Sequence, residues 1–130
     1  MCVPTERQYL SFRICSEACD QREVRATIEV RAEDEIFREH FPEQPILPGA
    51  FMASLAIDIV MRSFAPGLES PVRIEQISFS RPVRPGDRLL FFARQVEPAA
   101  DPGKFAFVIC NPTLVSCRGK VTFADAGDRP

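Results

Sequence analysis

The chain has a single histidine, His40, and it opens the run His40-Phe41-Pro42-Glu43-Gln44-Pro45-Ile46-Leu47-Pro48-Gly49. That run leads straight into an apolar segment from Ala50 to Phe64. Imidazole is the one side chain whose unperturbed charge changes near neutral pH, so His40 in its proline-stiffened loop is a candidate general base. The apolar segment is interrupted by Ser54, Asp58 and Arg62. Their four-residue spacing puts them on one stripe of a helix. Proton-transfer chemistry calls for an acid to answer the base, and the helix offers a serine and an aspartate. Asp58 also stands four residues before Arg62, where an ion pair would keep it ionised and structurally occupied.

Composition excludes several other chemistries. The five cysteines, at 2, 15, 19, 110 and 117, include no C-x-x-C, and with one histidine the usual zinc spacings fail; no metal is expected. A disulfide framework is not expected either; Cys15, Cys110 and Cys117 lie in apolar stretches as packed thiols, which favours a reducing cytoplasm. No Gly-rich phosphate loop or dinucleotide fingerprint occurs, so no cofactor is expected. A formal charge of −2 gives no reason to expect nucleic acid or an anionic membrane as partner. Arginines outnumber lysines fourteen to two; that suits phosphate recognition, but biased genome composition explains the count more cheaply. The three polar interruptions argue against a membrane span, and residues 1–8 lack the apolar core of a signal peptide.

The elements that must position these residues follow from periodicity. Residues 9–14 alternate, with Leu10, Phe12 and Ile14 on one side, and residues 24–31 repeat the pattern. Residues 50–64 are apolar nearly all round, which predicts a buried helix ended by Pro66-Gly67. Further strands are expected at 72–80, 88–96, 104–110 and 114–124, separated by proline and glycine turns. The sum is a single α+β domain over 1–130, with one long helix against an antiparallel sheet of five or six strands. Residues 1–8 and 125–130 are expected to fray.

Two motifs carry a resemblance. His40-Phe41-Pro42-x-x-Pro45-x-x-Pro48-Gly49 resembles the signature of the 3-hydroxyacyl-[acyl-carrier-protein] dehydratases of the hot-dog fold. Phe79-x-Arg81-Pro82-Val83-x-Pro85-Gly86-Asp87 is similar to that family's third long strand and following turn. The resemblance covers residues 22–124. It implies a sheet wrapped around the central helix, and a dimer whose sheets join edge to edge with the active site at the interface. It gives His40 the role of base and the backbone N–H of Gly49 that of donor to the thioester carbonyl. Phe41, Pro48, Phe51, Arg81 and Pro82 become the expected substrate-binding residues. The chemistry agrees: dehydration removes an α-proton, stabilises an enolate oxygen at positive potential such as a helix N-terminus, and protonates the leaving hydroxyl.

The chain departs from that family at the acid. The position five residues after the motif glycine, where the family has Glu or Asp, is Ser54 here. Losing a general acid costs about 10²–10⁴ in rate. Asp58 acting through a water held by Ser54, or a carboxylate from a homologous partner subunit, would make up the loss. The expected function is dehydration of 3-hydroxyacyl groups on acyl-carrier protein, held through phosphopantetheine, in fatty-acid or polyene/polyketide-type biosynthesis, by a homodimer or a heterodimer with a second hot-dog subunit. The alternatives are a hot-dog thioesterase and a catalytically weak acyl-carrier-binding partner subunit, because fold alone does not choose among thioester chemistries.

Overall fold

The computed structural model describes residues 6–20, 22–33, 36–39, 47–64, 72–96 and 103–123. The alternating segments form β1 (Arg7–Tyr9), β2 (Phe12–Cys19), β3 (Glu23–Val30), β4 (Val72–Phe79), β5 (Arg88–Gln95), β6 (Lys104–Asn111) and β7 (Leu114–Phe123). One helical turn, α1 (Ile36–Glu39), precedes the long helix α2 (Gly49–Phe64). The strands make one antiparallel sheet in the order β1-β2-β3-β5-β6-β7-β4. The α+β fold expected from the sequence is present.

The sheet has seven strands rather than five or six, and the extra one comes from residues expected to fray. Arg7–Tyr9 folds back on β2, pairing Arg7 with Ile14 and Tyr9 with Phe12. The connection is a two-residue turn with Leu10 at φ 51°, a sign that glycine usually supplies in such hairpins. Leu10 is therefore 48% exposed, whereas Phe12 and Ile14 are fully buried. The period-2 reading missed this turn because Leu10 kept the apolar rhythm across it.

What holds β1 in place is charge. The Arg7 guanidinium donates Nε to Glu17 Oε1 at 2.7 Å and Nη2 to Glu17 Oε2 at 3.2 Å, and its Nη1 lies 2.7 Å from Asp58 Oδ2. Burial pulls the pKa of Arg7 down, but its hydrogen bonds to Glu17 and Asp58 outweigh this and hold it above the ordinary arginine value. Asp58 thus pairs with Arg7 from the first strand and not with Arg62, which is exposed. A partner distant in sequence displaced the local i,i+4 pair because two carboxylates converge on one guanidinium fork.

Helix α2 buries Met52, Leu55, Ala56, Ile59 and Val60 against the concave face of the sheet. The spacing i, i+3, i+4, i+7, i+8 is one stripe of a helix. The helix is not buried all round, as its composition suggested: Phe51, Ile57 and Met61 are half-buried. Facing strands supply Ile28, Leu89, Phe91 and Ile109, all fully buried. Each such side chain contributes about 1.5–3 kcal/mol of transfer free energy.

Register shifts in β2 (Ile14/Ser16), β4 (Glu75/Ser78) and β7, opposite Ile109/Cys110, add one residue each and help the sheet curve around the helix. Cys15, Cys110 and Cys117 are free thiols, and burial pushes Cys117 up to about 11. Cys19 is disulfide-bonded. The three cysteines expected as thiols are thiols, but the bond at Cys19 was not expected, and the compartment argument from missing disulfides does not carry over. Among the described residues no helix is long and apolar enough to cross a membrane, and no group of His, Cys, Asp or Glu is arranged to hold a metal.

Candidate active site

The two sequence motifs meet in space. Leu47, just ahead of the helix, donates its N–H to Val83 O at 2.7 Å, so the chain entering α2 is stitched to the chain leaving β4. Phe51 N–H closes the first turn on Pro48 O at 3.0 Å. On the other side, Ser116 O accepts the N–H of Ser80 at 2.8 Å and of Arg81 at 3.5 Å, which fixes the start of the second motif on β7. Ser116 is the extra residue of the β7 shift, fully buried, and its hydroxyl has no hydrogen-bond partner among the described residues.

The bulge in β4 decides which side chain reaches the helix. Ile74 pairs with buried Val121, so even-numbered residues before the bulge face the core. Gln76 sits at φ 52°, one residue is added, and after it Phe79 pairs with buried Cys117. The inward face has moved from even to odd positions, and Phe79 lies over the helix start. A Cβ on Gly49 would stand 2.9–3.3 Å from the Phe79 ring, so glycine is what lets ring and helix end approach this closely. The result is a groove of about 480 Å³ lined by Leu47, Gly49, Met52, Phe79, Ser80, Arg81 and Pro82. Its size and largely apolar wall suit an acyl chain. The first N–H groups of any helix lack intrahelical partners and carry positive potential, so an oxygen in this groove beside Gly49 meets a donor.

The rest of the second motif is structural. Gly86, at φ 84°, donates to Val30 O at 3.0 Å, and Val30 returns its N–H to Asp87 O at 2.9 Å. The Asp87 carboxylate accepts the Arg84 N–H at 2.8 Å and Asn111 Nδ2 at 2.6 Å. This clasp holds the turn against β3 and β6.

Of the residues singled out in the sequence, Gly49, Arg81 and Pro82 line the groove. Pro48 and Phe51 are half-buried beside it and shape the helix entry. His40 and Phe41 lie outside the described residues, as does Glu43. Ser54 is half-buried; at 100° per residue it sits roughly 160° from the centre of the buried stripe and about 7.5 Å along the axis from Gly49. Asp58 is about 13.5 Å along the same axis, held by Arg7. The structure therefore does not bring Ser54 and Asp58 to the groove of their own chain. Sequence reasoning missed Leu47, Met52, Phe79 and Ser80 as wall residues. One signal was present for Phe79: the apolar positions of β4 run Val72, Ile74, then Ile77, Phe79, a slip from even to odd that marks a bulge.

An antiparallel sheet wrapped around one long helix, with a groove at the helix start, defines a hot-dog protein. The family model described as "ApeI-like: ApeI dehydratase" matches residues 16–120, and the chain belongs to that family. It is similar to the 3-hydroxyacyl-[acyl-carrier-protein] dehydratase FabZ of Brucella abortus (strain S19), 35% identical over 79 residues that cover 55% of this chain and 50% of the relative. The chain thus spans about half the length of the curated relatives it matches. Among solved structures it superposes on the dehydratase heterocomplex ApeI:P from Xenorhabdus doucetiae, with a TM-score of 0.72, 24% identity, and coverage of 95% of this chain and 100% of the other. It also superposes on a trans-AT PKS dehydratase domain from Brevibacillus brevis, with a TM-score of 0.68 and 17% identity, covering 90% of this chain and 46% of that one. At these identities the superpositions show the fold.

Proposed function

We propose that this chain dehydrates 3-hydroxyacyl thioesters carried on acyl-carrier protein to 2-enoyl thioesters, as one subunit of a two-subunit hot-dog assembly in fatty-acid or polyene/polyketide-type synthesis. The observation that carries the reading is the groove in which the helix start at Gly49 meets Phe79–Pro82, immediately downstream of His40 in the chain. In this reading the acyl chain lies along Leu47, Met52 and Phe79, and the thioester oxygen accepts the Gly49 N–H. His40 takes the α-proton, the enolate charge collects on that oxygen, and as the electron pair returns to form the C2–C3 double bond the C3 hydroxyl leaves as water with a proton from the partner's carboxyl group. The chemistry draws on no cofactor beyond the thioester of the phosphopantetheine-borne substrate.

The position of Ser54 supports a partner. It lies on the side of α2 opposite the buried stripe, near half-buried Met61, so a group there faces a second subunit more readily than its own groove. Edge strand β4, unpaired on one side among the described residues, gives the two sheets an edge to join. A heterologous partner carrying a carboxylate at the Ser54 position would answer His40, and the heterocomplex named for the superposed ApeI:P structure is in keeping with such pairing.

The test is mass spectrometry of the carrier-bound acyl group after incubation with the protein alone and with a carboxylate-bearing hot-dog partner. Loss of water from the 3-hydroxyacyl group is expected, fastest with the partner, abolished by His40→Ala, and raised in the homodimer by Ser54→Glu. Release of free acid with no enoyl product would assign hydrolysis instead. Turnover unaffected by His40→Ala would sink the mechanism.

A further inference from the structure

The convex face of the sheet, turned away from α2, carries a second cavity that the dehydratase reading does not use. Arg94, Ala106 and Lys120 form one cross-strand row over β5, β6 and β7, and Lys104 lies two residues before Ala106 on the same face. Arg94, Lys104 and Lys120, with Gln95 and Val96, line a cavity of about 370 Å³. Glu75 stands opposite Lys120 across β4 and β7 and is divided between Arg73 Nη1 at 3.4 Å and Lys104 Nζ at 3.9 Å. Glu23 neighbours Arg94 across β3 and β5 but is paired with Arg25 at 3.7 Å. Neither Arg94 nor Lys120 has an ion pair among the described residues. Among the described residues around this cavity, Arg25, Arg73, Arg94, Lys104 and Lys120 stand with Glu23 and Glu75, a local excess of positive charge that favours an anion.

Arg94 also lines an adjoining groove of about 260 Å³, walled by Phe92, Ala106 and Val108 on the same face and edged by Glu23. Phe92 is 38% exposed, with Arg25 stacked over its ring at 5.4 Å. A cationic pocket opening onto an apolar strip matches a ligand with an anionic head and a hydrocarbon body. We propose that the convex face of this sheet binds a phosphate-monoester amphiphile, its head between Arg94, Lys104 and Lys120 and its alkyl part along Phe92, Ala106 and Val108. Guanidinium and ammonium groups both suit a phosphate dianion, and burial of the alkyl part adds the hydrophobic term. The site shares no residue with the groove at Gly49 and stands whether or not the dehydratase reading does.

The test is amide-shift titration of the isotope-labelled full chain with hexyl phosphate, inorganic phosphate and hexanol. Saturable shifts at Arg94, Ala106 and Lys120 are expected with hexyl phosphate, which should bind about tenfold more tightly than inorganic phosphate, equivalent to about 1.4 kcal/mol. Hexanol should give none. The double variant Arg94→Gln/Lys120→Gln, both positions outside the core, should weaken hexyl phosphate at least about tenfold. Phe92→Ser should bring it down to the level of inorganic phosphate. Flotation with phosphatidylcholine vesicles, with and without phosphatidic acid, separates the sources. Binding that needs both phosphatidic acid and the two cations assigns the head to a lipid, and hexyl phosphate binding without flotation assigns it to a soluble ligand. Absence of both, or binding that survives the double variant, overturns the proposal. Equal affinity for hexyl and inorganic phosphate removes the apolar strip and overturns the amphiphile.

Discussion

Replacing Arg7 by methionine should loosen the whole N-terminal hairpin from the helix. The guanidinium is 17% exposed and sits between Glu17 and Asp58, whose side chains are 10% and 16% exposed. At an effective dielectric of about 20, a contact at roughly 4 Å is worth about 4 kcal/mol gross. Removing one partner of a buried pair costs about 3–5 kcal/mol because the remaining charge stays desolvated. Here two carboxylates are left facing each other, while residual solvent contact at all three groups moderates the loss. The expected cost is about 3 kcal/mol, which at a urea slope near 1.5 kcal/mol/M lowers the unfolding midpoint by about 2 M. The triple variant Arg7→Met/Glu17→Leu/Asp58→Leu removes every charge at similar volume and should recover most of that midpoint. A fall of less than about 0.5 M for Arg7→Met alone would refute the reasoning, since solvent would then be compensating the carboxylates and the network would not be what folds Arg7–Tyr9 onto β2.

Gly49→Ala places a methyl against the ring edge of Phe79, which is half exposed and able to swing, so stability should fall by no more than about 1 kcal/mol. Under the proposed function, turnover of the 3-hydroxyacyl thioester should drop much further, as read by comparing the urea midpoint with the rate. Gly119→Ala is the contrasting case: its Cβ meets the Phe107 ring at 3.1 Å and the backbone Cα of Ile77 at 3.2 Å, and because backbone cannot swing, a loss of about 1–3 kcal/mol in chemical denaturation is expected. Asp20 accepts the N–H groups of Arg22 at 2.7 Å and Glu23 at 2.9 Å, which holds its carboxyl below the usual range. A folded pKa below the unfolded one gives stability that is present above about pH 4 and lost as the pH falls through the folded value. The stability gap between the wild type and Asp20→Asn should therefore narrow between about pH 5 and pH 2 in urea titrations.

Strands with regular alternation, such as Phe105-x-Phe107-x-Ile109, were legible in the sequence because one face is packed and the other is not. The helix was legible from its length and from Pro48-Gly49, and the two motifs announced which loops would meet. What escaped depends on contacts made across the chain. Nothing local tells Arg7 to bind Asp58 fifty-one residues away, so a short polar segment read as a tail became a strand. Leu10 preserved the apolar beat through a turn that glycine would have marked. The completeness of helix burial was misjudged because composition counts apolar residues without saying how many partners one chain supplies. Phe79 as the wall of the groove needed the β4 slip to be recognised as an added residue rather than as noise.

That slip has an evolutionary corollary. Parity in β4 is set between Arg73 and Ser78, so gaining or losing a single residue there would present Ser78 to the helix end in place of the aromatic ring. Changes by two would preserve the arrangement. Length variation among relatives in this segment should therefore come in even steps, and a one-residue indel would mark a lineage whose groove at the helix start has been rebuilt or abandoned.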